Sequence, residues 1–163
     1  MLEQVGIFLP ESELHKKIRR EILPLLGSRL QDENLIIGHG PKSFHFELGD
    51  TSYTVNPDYV FTLPDLKKVP LEVLNSIGNK TIWGNVMVPY VLLKYCEEVS
   101  HFIFILAGYA ANDQYRFVKH MAVTMEMLRG SVDISKKLGI VTTTDLKVYE
   151  LYQQLKDTLA LYK

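Results

Sequence analysis

Cysteine is almost absent from this chain of 163 residues, since Cys96 is its single cysteine. One thiol cannot build an internal disulfide framework or a cysteine-rich metal site. A chain without disulfides suits a reducing compartment, so we expect a cytoplasmic protein. The net charge is also small, at −1, which excludes a strong overall field for nucleic acid. Any contact with nucleic acid would therefore need a local basic patch.

The chain also lacks a long apolar run. Its most apolar stretch, residues 102–111, is about half as long as the roughly 20 residues that a membrane-spanning helix needs. The N-terminus has no signal-peptide pattern, and no internal repeat is visible. Apolar residues make up 47% of the chain and charged residues 23%, which is ordinary for a folded protein. We therefore expect a single domain, residues 1–163, with no membrane partner.

Apolar residues at helical spacing predict an N-terminal helix over about residues 10–30. Leu14, Ile18, Ile22 and Leu25 form its predicted buried stripe, and Pro24 predicts a kink. The other side of this helix is basic, and we interpret it as a solvated face, with a phosphate-contacting face as the alternative. The basic residues are Lys16, Lys17, Arg19 and Arg20.

Two runs of alternating apolar and polar residues predict a β-hairpin over residues 43–48 and 52–55. A turn that contains Gly49 separates the runs. Because side chains alternate along a strand, one set of apolar residues should share a face of the hairpin. That set is Phe44, Phe46, Leu48, Tyr53 and Val55.

The segment 69–77 fits either a helix that begins at Pro70 or a strand that begins at Val69. We favour the strand because of the elements that follow it. Residues 85–98 have helical spacing, and residues 101–107 are dense in Phe and Ile, which predicts a buried strand; one long helix is the alternative. The deepest side chains should include Leu92, Tyr95, Phe102, Phe104 and Leu106.

The C-terminal part, residues 112–163, is predicted to be helical. Asn112 or Asp113 caps one helix, a short helix covers about residues 132–138, and Thr143 or Thr144 caps the last. The predicted buried stripes are Phe117, Met121, Met125 and Leu128 in the first helix, and Leu146, Tyr149, Leu155 and Leu159 in the last.

The order of these elements is helix, three strands, helix, strand, and it resembles the core of the PD-(D/E)xK nuclease superfamily over residues 10–108. The residues that carry the resemblance are Pro57-Asp58, Leu71-Glu72-Val73, Gly78-Asn79-Lys80 and the passage from Val88 into the strand at 102–105. It is most similar to small type II restriction endonucleases. The resemblance implies an α/β fold with a mixed central sheet flanked by helices and extended by the C-terminal helices.

The same resemblance implies a metal site built on two carboxylates. Asp58 matches the first acid and Glu72 the second, and together they would hold Mg²⁺, a hard cation that prefers oxygen ligands. Two acids on adjacent strands can converge on one point. Such a metal activates water and stabilises the charge that develops on a phosphate.

The lysine of the family departs from the pattern, because its position, two after the second acid, holds Leu74. Lys80 is the candidate substitute. An alternative register uses Asp58 with Asp65 and Lys67, although the nearby Pro64 favours a loop there. Pro-Asp pairs also form ordinary turns, so an accidental match is the competing interpretation.

Other patterns are weaker. Glu98 and His101 have the spacing of one half of a helical di-iron site, but only one copy is present. Arg116 and His120 lie one helical turn apart, which a solvated helix face also explains. Cys96 is expected to be a buried small hydrophobic residue.

The sequence therefore supports two functional hypotheses. The first is a metal-dependent nuclease-fold protein that acts on DNA phosphodiester bonds, catalytically active or degenerate, with Mg²⁺ as cofactor. The second is a non-catalytic interaction or regulatory module whose helical face binds a protein partner. A homodimer is compatible with both.

Overall fold

A five-stranded mixed β-sheet with helices on both faces forms the centre of the molecule. The computed structural model describes residues 11–75, 79–127, 134 and 136–162. The described helices are α1 (Glu11–Lys17), a π-helical segment (Ile18–Ile22), α2 (Leu23–Asp32), α3 (Asn79–Tyr95), α4 (Tyr109–Asn112), α5 (Gln114–Met127) and α6 (Val148–Ala160). The described strands are β1 (Gly38–Gly40), β2 (Phe44–Leu48), β3 (Thr51–Val55), β4 (Tyr59–Thr62), β5 (Lys68–Leu74), β6 (Phe102–Ala107) and β7 (Leu138–Thr143).

The central sheet has the strand order β1-β4-β5-β6-β7. The first three strands pair in antiparallel fashion, whereas β5, β6 and β7 are parallel. Helix α3 provides the crossover from β5 to β6, as parallel neighbours require. The expected α/β fold with a mixed sheet flanked by helices is confirmed.

Alternation along β6 divides the apolar core into two layers. Ile103, Ile105 and Ala107 face one layer, which α1, α2 and α6 cover. Phe102, Phe104 and Leu106 face the other layer, which the hairpin, α3, α4 and α5 cover. Every residue of β6 is buried, because β6 is a central strand with helices on both sides. The predicted strands at 69–74 and 101–107 are therefore confirmed.

The β2-β3 hairpin is confirmed, but it forms a two-stranded sheet of its own. Phe44 pairs with Val55 and Phe46 with Tyr53, so the expected apolar residues share a face. Phe44 is fully buried in the second core layer, whereas Tyr53 lies at its exposed margin. The central sheet therefore has three strands before α3, namely the short β1, β4 and β5, and the hairpin lies outside it.

The N-terminal helix is confirmed over Glu11–Asp32, but its buried stripe changes phase. Leu14, Ile18 and Ile22 are buried as expected, whereas Leu25 is 46% exposed. The wide turn of the π-helical segment inserts a residue into the helical repeat, so the stripe continues one position later. It runs through Leu23, Leu26 and Leu30.

The C-terminal part is not purely helical, because β7 adds a fifth strand to the sheet. The short helix expected over 132–138 is wrong at Leu138, where β7 begins. Ile134 and Lys136 are helical, as expected, and residues 132, 133 and 135 lie outside the described part. Neither Thr143 nor Thr144 caps α6. Thr143 ends β7, and the backbone N–H of Lys147, the residue before α6, donates to its hydroxyl at 3.2 Å.

Besides Leu25, two further predicted core residues lie at the surface. Tyr95 is 43% exposed because α3 ends there, and its ring stacks on Phe46 of the hairpin. Tyr149 is 40% exposed, and Leu151 and Tyr152 take the buried positions of α6. Leu92 and the β6 residues are fully buried, as expected, and so is Phe117 in α5. The side chains of Met125 and Leu128 lie outside the described part.

No helix among the described residues is long and apolar enough to cross a membrane. Cys96 is buried, as expected for a small apolar side chain in the second core layer.

Candidate functional site

Asp58 and Glu72 meet where β4 begins. Tyr59 pairs with Leu71 in the antiparallel ladder, so Asp58 and Glu72 are the next opposed positions. Glu72 Oε1 accepts the backbone N–H of Asp58 at 3.1 Å. Asp58 Oδ2 in turn accepts the backbone N–H of Val73 at 2.8 Å. Cross-strand opposition therefore brings the two acids together, as adjacent strands allow.

The pKa values of the two carboxyl groups are shifted in opposite directions. Burial and the nearby negative charge of Asp58 raise the pKa of Glu72 to about 8. Burial also acts to raise the pKa of Asp58, but hydrogen bonds from His15 and Val73 and the charge of His15 outweigh it and lower that pKa. Near neutral pH the pair therefore favours one proton, because the raised pKa of Glu72 favours its protonated form and the lowered pKa of Asp58 favours its ionised form.

His15 in α1 completes this cluster, and the sequence reasoning did not identify it. Its Nε2 lies 3.3 Å from Asp58 Oδ2. Arg19 follows four residues later and contributes positive charge that favours ionisation of Glu72. The spacing of His15 and Arg19 on one helix face was a visible signal. Nothing in the sequence indicated that this face packs beside Asp58.

A surface pocket of about 470 Å³ opens beside Asp58, whereas Glu72 does not line it. Arg19 and Arg20 line one wall, and Asp58 lies on the other with its neighbours from the strand. Arg20 also lines a second pocket of about 360 Å³ with Lys16, Lys17, Glu13 and Glu21. In this pocket Lys16 pairs with Glu13 at 4.0 Å and Lys17 with Glu21 at 2.9 Å. The basic side of the N-terminal helix thus continues directly from the acid pair. Pro24, Pro41, Asn56, Pro57 and Tyr59 complete the lining of the first pocket.

The alternative register does not reach the acid pair. Asp65 and Lys67 lie in the exposed turn after β4, at the opposite end of that strand from Asp58. Asp65 Oδ1 accepts the backbone N–H of Lys67 at 2.9 Å, and Lys67 Nζ donates to the carbonyl of Glu97 at 2.9 Å. These contacts give both residues a structural role in the turn.

The position of the family lysine remains apolar in space as well as in sequence. Leu74 ends β5 and is buried in the second core layer. Lys80 lies in the first turn of α3, but its side chain lies outside the described part of the chain. Among the described residues, His15 and Arg19 contribute positive charge to the acid pair.

The acid pair fits a hard cation in donor type. Mg²⁺ in proteins is commonly bound by one or two carboxylates and retains several waters. Asp58 and Glu72 supply that minimum, and the proton that they share would leave when a cation binds. Among the described residues there is no group of three or more His, Cys, Asp or Glu side chains that could hold a metal ion. A cation here would complete its coordination with water and substrate oxygens.

The weaker patterns in the sequence do not form sites. Glu98 pairs with Lys42 at 3.9 Å, whereas His101 stacks on Tyr162, so the two residues do not act together. Arg116 forms an exposed ion pair with Asp113 at 3.5 Å.

Comparisons of the chain with protein-family models, with curated proteins and with solved structures find no match.

Proposed function

We propose that this chain is a metal-dependent nuclease-fold protein that acts on DNA phosphodiester bonds. One observation carries the proposal: the carboxyl groups of Asp58 and Glu72 converge from adjacent strands beside Arg19 and Arg20. The order of the sheet supports it further. When the separate β2-β3 hairpin is set aside, the N-terminal helix, the antiparallel strands β1, β4 and β5, the crossover helix and the parallel strand β6 follow the order that the PD-(D/E)xK resemblance implies.

The proposed roles follow from the chemistry of each group. Asp58 and Glu72 hold the cation, and His15 fixes the orientation of the Asp58 carboxyl group through the 3.3 Å contact. When bound, Mg²⁺ supplies charge stabilisation and a more acidic water. In the hydrolysis, the oxygen of water bonds to phosphorus as one phosphorus–oxygen ester bond breaks.

The basic side of the N-terminal helix is the proposed DNA contact. Lys16, Lys17, Arg19 and Arg20 line two pockets that share Arg20, and Lys16 is about half exposed. Lys16 and Lys17 pair with Glu13 and Glu21, so Arg19 and Arg20 are the main cations of this patch. A local patch of this kind provides what the net charge of −1 does not. Arg19 and Arg20 are best placed to bind the phosphate next to the cation, because both line the pocket that contains Asp58.

Plasmid cleavage tests this function. Supercoiled DNA is incubated with the protein and with Mg²⁺ or Mn²⁺ over a range of concentrations. We expect metal-dependent nicking or linearisation that Asp58→Asn and Glu72→Gln abolish. Asn retains an oxygen that accepts the Val73 N–H, so loss of activity in Asp58→Asn reports the charge. Glu47→Gln, an exposed acid in β2, is the matched control and should cleave normally.

The second candidate function is a non-catalytic interaction module, and the burial of Leu74 favours it. A buried aliphatic side chain cannot orient water or stabilise an anion at the position where the family has its lysine. The two functions differ in a measurable way. The interaction module predicts no cleavage at any metal concentration and no difference between the wild type and Asp58→Asn.

A further inference from the structure

Helix α5 carries an apolar stripe on its solvent side. Its inner side packs Phe117 and Thr124 into the molecule, with Met121 partly buried beside them. The stripe on the opposite side consists of Tyr115, Val118, Ala122 and Val123, all of which are exposed. Tyr115 is 82% exposed and Val123 is 49% exposed.

The spacing of these residues makes them one surface. Positions 115, 118 and 122 recur at intervals of three and four, so they lie above one another along the helix, with Val123 at the margin. Single exposed apolar residues are normal on a protein surface. A continuous row along most of a helix is instead typical of a surface that another helix covers.

Two charged residues lie in the same stripe and indicate what covers it. Lys119 and Glu126 are seven positions apart, which is two helical turns, and both are exposed. Neither forms an ion pair with another residue in the part of the chain that the structure describes. Ala122 and Val123 lie between them, with Lys119 three positions before Ala122 and Glu126 three positions after Val123.

We propose that a second copy of this chain docks on the stripe, with the two α5 helices packed antiparallel about a twofold axis. In that arrangement Ala122 and Val123 meet at the axis, and the small Ala122 allows close approach of the two helices. Lys119 of each copy then faces the other copy's Glu126, so the charges match twice. A parallel pair would place like charges together. The surface is therefore self-complementary in only one direction.

Sedimentation of the full chain at several concentrations tests the proposal. The wild type forms a dimer that dissociates on dilution. Lys119→Glu and Glu126→Lys each place like charges across the axis twice, so each should raise the dimer dissociation constant about tenfold or more at low salt. The double variant, which exchanges the two charges, restores dimerisation. Lys16→Glu on α1 is the control and leaves the dimer unchanged.

A mixture of the two single variants separates this interface from a general effect of charge. Each single variant self-associates more weakly than the wild type, but a 1:1 mixture forms a heterodimer, because one chain presents two acids and the other two lysines. Tyr115→Ser provides a variant that weakens the dimer without a change of charge. A monomeric wild type at about 100 μM, or a mixture that does not associate, would overturn the proposal. Circular dichroism of each variant confirms that it is folded.

Discussion

At the scale of single residues, the acid pair is defined by burial and by two backbone amides. Asp58 accepts the Val73 N–H, and Glu72 accepts the Asp58 N–H, so each carboxyl group satisfies one backbone donor where the pairing of β4 with β5 ends. Neutral acceptors, such as amide side chains, would be sufficient to accept hydrogen bonds from these two backbone N–H groups. Two neighbouring acids that share a proton are an electrostatic cost, which the proposed binding of a cation would relieve.

Glu72→Gln should make the metal-free protein more stable at alkaline pH. The pKa of Glu72 is raised in the folded state to about 8 from 4.5. Its protonated form therefore stabilises the fold fully below the unfolded pKa, and this contribution is lost as pH rises through about 8. Each pKa unit corresponds to about 1.4 kcal/mol, and coupling to Asp58 reduces the total, so we expect a gain on the order of 2 kcal/mol at pH 9.

Urea unfolding in EDTA at pH 5.5 and pH 9 measures this gain. The difference between wild type and Glu72→Gln should grow with pH. Glu47→Gln removes an exposed acid and should show no comparable trend. If the two variants follow the same pH dependence, Glu72 is ionised in the folded protein and the shared proton does not exist.

At the scale of elements, close packing of α2 on β1 depends on a glycine. A Cβ atom at Gly27 would lie 2.5 Å from His39 Nδ1 and 3.1 Å from His39 Cβ. The same Nδ1 forms a 2.5 Å hydrogen bond with the hydroxyl of Tyr59, which directly follows Asp58. Gly27 therefore lets α2 pack closely enough for His39 to position the start of β4.

Gly27→Ala should destabilise the protein by about 1–2 kcal/mol. Overpacking typically costs about 1–3 kcal/mol, and the better helix propensity of alanine offsets roughly 1 kcal/mol of it. In the His39→Ala background the clash with the imidazole ring is absent and only the 3.1 Å approach to the Cβ atom remains, so Gly27→Ala should cost clearly less than in the wild type. A double-mutant cycle by thermal or urea unfolding checks this, and equal effects in both backgrounds would exclude the contact as the cause.

Strand β6 is the element whose burial was most evident in the sequence. Phe104 is fully buried, and its ring packs against Phe102 and Phe117 with centroids 5.0 Å apart in each case. Phe104→Ala should cost about 3–5 kcal/mol in urea unfolding. Val123→Ala, at an exposed position, should cost less than about 1 kcal/mol. A loss of similar size in both would contradict the two-layer core.

The local hydrophobic pattern of the sequence predicts an element correctly where that pattern agrees with the tertiary packing of the element. The hairpin and β6 have strong alternation or dense apolar runs. In β7, the β-branched Ile140, Val141 and Thr142 were a usable signal, but the sequence predicts a helix over residues 132–138 that would end before Gly139. In the structure, that glycine leaves room for the Tyr162 hydroxyl, which would lie 2.6 Å from a Cβ atom. Such a close approach depends on residues far apart in sequence.

At the scale of the whole molecule, the sheet determines where chemistry can occur. Strands β4 and β5 are antiparallel, so the turn that joins them, with Asp65 and Lys67, lies at one end of this strand pair. Asp58 and Glu72 lie at the other end. The N-terminal helix passes this second end and brings His15 and Arg19 to the acids. The acids were identifiable from sequence as letters in a motif. The contribution of His15 and Arg19 depends on how the N-terminal helix packs, so it could not be identified from the sequence.

The most direct test of the central claim is a calorimetric titration of Mn²⁺ into the full chain at pH 8.5, where Glu72 is largely ionised. The account predicts one ion per wild-type chain, no measurable binding by Asp58→Asn, strongly weakened binding by Glu72→Gln and unchanged binding by Glu47→Gln. Asp58→Asn must retain its fold by circular dichroism. A wild type that binds no ion at millimolar Mn²⁺, or an Asp58→Asn variant that binds it equally well, would contradict the account.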